Sequence, residues 1–76
     1  MTNSELAATL GKRTERVYQE LINWVDRYGY VPSYEEIGQR VGCSASTVMR
    51  HLDTLQKAGL IERRRGQSRS ITIRVA

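Results

Sequence analysis

The chain has 76 residues, 39% of them hydrophobic, and carries twelve Lys and Arg against eight Asp and Glu, a net charge of +4. At this length only ~60% of the unfolded surface is buried, so one thin core and one small domain are expected. Its single cysteine, Cys43, excludes an internal disulfide and a multi-cysteine zinc site, and no apolar run approaches the ~20 residues of a membrane span.

Residues 1–13 are expected to form an N-terminal arm or a short helix. The run Thr2-Asn3-Ser4-Glu5 is a candidate start, Leu6, Ala7, Ala8 and Leu10 would lie in the helix, and Gly11 would end it. This start is polar and lacks an apolar h-region, so no secretory signal is read. With one cysteine, that predicts a reducing, cytoplasmic setting.

Residues 14–28 are predicted to be a longer helix. Thr14 is the expected cap, and Glu15 suits the positive end of the first turn. Val17, Leu21, Trp24, Val25 and Tyr28 share one face, and Tyr18 and Ile22 widen it. A stripe that broad marks the structural spine, and its aromatic residues are read as core rather than as a ligand box. Gly29 ends the helix, and Pro32 holds Val31 extended.

Ser33 followed by Glu36 reads as a capping box for a short helix to about Val41, with Tyr34, Ile37 and Val41 inward. Gly38 lies on or beside that face, where a missing side chain lets another helix approach. Gly42 breaks the helix. Cys43, with neither a partner cysteine nor a catalytic neighbour, is read as a small buried hydrophobe.

The next stretch, residues 44–59, organises the rest. Ser44 is the expected N-cap, and Gly59 follows the last apolar residue at a position that requires positive φ. Val48, Leu52 and Leu55 share one face. Ser46, Arg50, Asp53 and Lys57 fall opposite, with Thr47 and Met49 at the edges. An anchored helix with small hydrogen-bonding groups and an arginine outside is suited to a DNA major groove. The other reading, a solvated amphipathic face, is weakened by the neighbours on both sides.

After Gly59 the period changes. Residues 60–64 and 70–75 read as strands, with Ile71, Ile73 and Val75 inward and a turn around Gly66 between them. Residues 63–74 hold five arginines and no acid, which points to a phosphate-rich partner. A short helix, a Gly-containing turn and a polar-faced helix make a helix-turn-helix. The hairpin adds a wing. The predicted fold is therefore α+β, a winged helix-turn-helix built from a three-helix bundle and a C-terminal β-hairpin over residues 14–76.

In this order of elements the chain resembles the DNA-binding winged helix-turn-helix domain of the LexA repressors and related bacterial regulators. The carrying residues are Tyr28-Gly-Tyr-Val-Pro-Ser33, Glu36-Ile-Gly-Gln-Arg-Val-Gly42, His51-Leu-Asp-Thr-Leu-Gln-Lys-Ala-Gly-Leu-Ile-Glu62 and Gly66-Gln-Ser-Arg-Ser-Ile71. The resemblance implies that bases are read from the start of the third helix, which here places Ser44, Ser46, Thr47, Met49 and Arg50 at the reading positions. It implies a wing lying against the DNA backbone. The turn before the third helix is one residue shorter than in typical LexA relatives. The Ser/Lys protease and dimerisation domain of LexA has no counterpart in these residues, so DNA binding is implied and cleavage-based control is not.

The residues support no enzyme. His51 is the only histidine, Asp53 points to a different face, and Gly66 stands outside any phosphate-loop pattern. No cofactor, metal or small-molecule ligand is expected. The expected partner is double-stranded DNA, read in sequence-specific fashion by a transcriptional regulator. Arg50 would donate to guanine O6 and N7, Thr47 would offer a hydroxyl and a methyl, Met49 an apolar contact for thymine methyl, and Ser44 and Ser46 hydroxyls for bases or phosphate. Arg63, Arg64, Arg65 and Arg69 would hold the backbone or enter the minor groove. Alternatives are a plasmid or phage replication or partition protein and a protein-interaction winged helix. A monomer or weak dimer in free solution that pairs as a homodimer on DNA is expected. The candidate elements are the arm, with Leu6 and Leu10, which is expected to contribute, and the exposed edge of the hairpin.

Overall fold

The structure, a computed structural model, describes residues 2–64 and 70–74. Four helices precede a two-stranded antiparallel hairpin: α1 (Asn3–Thr9), α2 (Lys12–Tyr28), α3 (Tyr34–Val41), α4 (Ala45–Lys57), β1 (Ile61–Glu62) and β2 (Thr72–Ile73). The winged-helix arrangement is the one expected, with α1 added in front.

Thr2 opens α1 with a capping box. Its hydroxyl accepts from the Glu5 amide and the Glu5 carboxylate accepts from the Thr2 amide, each at 3.1 Å. The Thr2 amide, and after it the Thr2 hydroxyl, hold the Glu5 carboxyl below its ordinary range. The segment is docked: Ala7 is fully buried, Leu6 and Leu10 pack against the core, and Asn3 Nδ2 donates to the Arg74 carbonyl at 2.7 Å.

The second helix starts earlier than expected. Gly11, at φ 115°, is its N-cap, and no side chain caps it. Thr14 lies inside the first turn, where its buried hydroxyl turns to His51 instead. Val17, Tyr18 and Leu21 are buried as the stripe predicted, but Tyr28 is 41% exposed and Trp24 only half-buried. The reason is length. At ~1.5 Å per residue α2 runs ~26 Å and α3 only ~12 Å. The last turns of α2 are covered largely by their own aromatics: Trp24 lies 4.7 Å from Tyr28 and 6.2 Å from Tyr30 between ring centroids.

The capping box before α3 forms as read, with Ser33 Oγ accepting from the Glu36 amide at 3.2 Å and Glu36 accepting from the Ser33 amide at 2.8 Å. Gly38 is required by the turn rather than by another helix. A Cβ there would stand 2.4 Å from the Cys43 carbonyl oxygen, and the Gly38 carbonyl itself accepts from the amides of Gly42 and Cys43. Cys43 packs against the core but is half-buried, not buried as expected, because the turn that carries it runs along the surface.

Ser44 caps α4, accepting from the Thr47 amide at 3.2 Å. Gly59 at φ 81° closes the helix: its amide reaches the Gln56 carbonyl and that of Leu60 the Leu55 carbonyl, a Schellman motif. In the hairpin Ile61 pairs with Ile73 and Glu62 with Thr72. The described ladder is shorter than predicted because the Ser70 hydroxyl takes both the amide and the carbonyl of Arg64. Ile71 is buried and Ile73 half-buried; Val75 and the Gly66 turn lie outside the described residues. One core receives side chains from every helix and from the hairpin, including Val17, Leu21, Ile37, Leu52, Leu55 and Ile61. Packing against it fixes how α4 is presented.

Candidate nucleic-acid interface

The inward side of α4 is closed. Val48, Leu52 and Leu55 have no exposed surface. Its outward side carries Ser46, Met49 and Arg50, all exposed, at the i, i+3, i+4 spacing that puts side chains next to one another. Met49 is 44% exposed, a large apolar side chain held in solvent at the centre of a polar row. Ser44 is exposed and Thr47 half-buried, and their hydroxyl oxygens lie 3.1 Å apart. Ser44 is thus partly committed to the cap, whereas Ser46 and Arg50 have no side-chain partner among the described residues.

The wing arginines divide. Arg63 is held: it forms an ion pair with Asp53, and its Nε donates to Gln56 Oε1 at 3.0 Å. With its side chain only 11% exposed, it braces the root of the wing against α4. Arg64 is exposed, and its backbone rather than its side chain is fixed by Ser70. Arg65 and Arg69 lie outside the described residues. Arg74 is paired across the hairpin with Glu62 at 2.9 Å.

One basic group that the sequence reading did not single out, Arg13, stands near His51 of α4. The Thr14 hydroxyl and His51 Nδ1 share a hydrogen bond of 2.9 Å, which pins the start of α2 to the second turn of α4. That brings Arg13 toward His51 and Arg50. Burial first, then the charges of Arg13 and Arg50, push the His51 imidazole below its usual pKa. No local pattern gave this contact, since its partners are 37 residues apart. Among the described residues no group of His, Cys, Asp and Glu is arranged to hold a metal, and no helix is long and apolar enough to cross a membrane.

Comparison with known proteins agrees with this architecture. Residues 7–70 match the family described as the LexA DNA binding domain. The LexA repressor of Exiguobacterium sibiricum is 43% identical over 65 residues, covering 84% of this chain and 32% of the relative. LexA repressor 1 of Nocardia farcinica is 38% identical over 69 residues, covering 90% of this chain and 32% of the relative. The LexA repressor of Koribacter versatilis is 37% identical over 65 residues, 84% of this chain and 31% of the relative. The chain spans about a third of the length of these curated relatives.

Proposed function

The chain belongs to the LexA DNA-binding domain family, and on that premise we propose that it is the sequence-reading part of a transcriptional repressor acting on double-stranded DNA in the cytoplasm. The observation that carries the reading is the division of α4: one face wholly buried, the other an exposed row of Ser46, Met49 and Arg50. In the major groove Arg50 donates bidentately to guanine O6 and N7, and Met49 packs on a thymine methyl. Ser44, Ser46 and Thr47 supply hydroxyls near the helix start to bases or phosphate.

Arg64, with Arg65 and Arg69, holds the backbone or enters the minor groove. Arg63 acts mainly by fixing the wing to α4, and reaches phosphate only by leaving Asp53. One recognition helix covers few base pairs, so two domains are expected to pair on a two-fold site, with half-sites about one helical turn or a multiple apart. Leu6 and Leu10 pack against their own core and are only half-buried, which leaves part of the arm for pairing, beside the exposed edge of the hairpin. Selection of bound duplexes from a random pool tests the reading. Enrichment of a motif with two-fold symmetry supports it; an unenriched pool contradicts it.

A further inference from the structure

The arginines of this domain sort by whether the protein itself occupies them. Arg16 meets Glu20 at 3.8 Å and donates to the Arg40 carbonyl. Arg27 stacks on Tyr28 and Arg40 on Trp24, 5.5 and 5.1 Å from the ring centroids. Arg63 is tied to Asp53, and Arg74 to Glu62. Arg13 and Arg50 have no such partner: among the described residues neither side chain enters an ion pair, a hydrogen bond or a ring contact. Yet these two act on the same imidazole, from different helices.

We propose that Arg13 and His51, with Arg50 at their side, seat a DNA backbone phosphate beside the groove that α4 enters. The proposal rests on the DNA-binding reading above and adds a contact from α2, remote in sequence from both the reading helix and the wing. The charges of Arg13 and Arg50 both fall on a neutral imidazole, so the region is positive and suits an anion. The bond to Thr14 sets the geometry. It turns Nδ1 of His51 inward and leaves Nε2 on the opposite side of the ring. In the tautomer whose Nδ1 accepts from the Thr14 hydroxyl, the ring proton sits on Nε2, where it can be donated to a phosphate oxygen. Arg13 is exposed and precedes Thr14 on the first turn of α2, so its guanidinium reaches the same region. Burial first, and then the charges of both arginines, hold the His51 pKa down. The seat carries no base information; it fixes the register in which Arg50 meets its base.

The test is the salt dependence of binding to a short mixed-sequence duplex, measured for the whole chain and for Arg13→Ala and Arg27→Ala. One phosphate contact contributes a slope of about 0.9 in log affinity against log salt, about eightfold at ~0.1 M salt. Arg13→Ala is expected to lose that much slope and affinity while keeping the base preference of the wild type. Arg27→Ala removes an equal charge ~21 Å along α2 and is expected to keep the wild-type slope. His51→Gln, which retains an acceptor for Thr14, is expected to weaken binding at every sequence alike. An unchanged slope in Arg13→Ala overturns the seat and leaves the DNA reading standing, because the wild type still binds with a steep slope. An equal loss in Arg27→Ala shows general charge attraction and also overturns it. A wild type that binds no duplex overturns both.

Discussion

The outer faces of α4 and of the C-terminal half of α2 are both exposed, and both carry large side chains and arginines. They differ in what those side chains do. On α2, Trp24 and Tyr28 lean on each other, Arg40 covers Trp24 while donating to the Tyr28 hydroxyl, and Arg27 stacks on Tyr28. The rings and arginines of that surface meet one another, and only the Trp24 Nε1 is left without a hydrogen-bond partner among the buried side-chain atoms of the described residues. On α4, Met49 and Arg50 stand exposed, and the Arg50 side chain has no protein partner among the described residues. A binding face is therefore better identified by unmet contacts than by charge or aromatic content. A binding residue also stabilises the domain little, so stability and DNA affinity should separate cleanly between the two sides of α4.

The largest effect is expected from Leu52→Ala. Leu52 has no exposed surface, and its truncation leaves a cavity at the centre of the core. A loss of ~2–5 kcal/mol in unfolding free energy is expected, read by urea denaturation. A loss below about 1 kcal/mol, the level of a surface change, would mean that the inner face of α4 is not anchored.

Arg50→Ala addresses the other side of the same helix. It is expected to cost ~1–3 kcal/mol in binding to the preferred site and to flatten preference at one base pair. Stability should move by no more than ~0.5 kcal/mol. Uniform weakening on all sequences would instead make Arg50 a phosphate contact.

The local signals on which this division rests were largely legible in the sequence. Ser33 with Glu36, Ser44, Gly42 and Gly59 act within a few residues of themselves, and each performs the role its chemistry predicted. Val48, Leu52 and Leu55 followed from periodicity alone. What was not legible depends on distant partners. Thr14 looks like a cap until His51 gives its hydroxyl a different hydrogen-bond partner. Arg63 looks like Arg64 until Asp53 and Gln56 hold it. Tyr28 lies on the apolar stripe of α2, yet it is 41% exposed, with its hydroxyl accepting from Arg40.

The two kinds of wing arginine give the next contrast. Arg64→Ala with Arg65→Ala is expected to weaken binding to every duplex and to lower the salt slope by up to about two. Arg63→Ala should change the slope less and lower the melting temperature more, because it frees Asp53 and Gln56 and loosens the wing root. Equal slopes for the two variants would erase the distinction.

The smallest effect concerns His51. Its folded pKa lies below the ordinary value of 6.5, so the unfolded chain takes up the proton first. The resulting stability is fully present above about pH 6.5 and is lost as pH falls through the lower folded value. Melting temperatures measured from neutral pH down toward pH 5 should therefore decline more in wild type than in His51→Gln. Parallel declines would mean that another group titrates there.

The most direct measurement is a titration of unlabelled duplex into the 15N-labelled domain, followed by amide chemical shifts. If the unmet face of α4 is the reading surface, the largest changes fall on residues 44–50, with others at Arg64 and at the start of α2, while Trp24, Tyr28 and Tyr30 stay nearly still. Largest changes at that aromatic cluster, with α4 unmoved, would contradict the account.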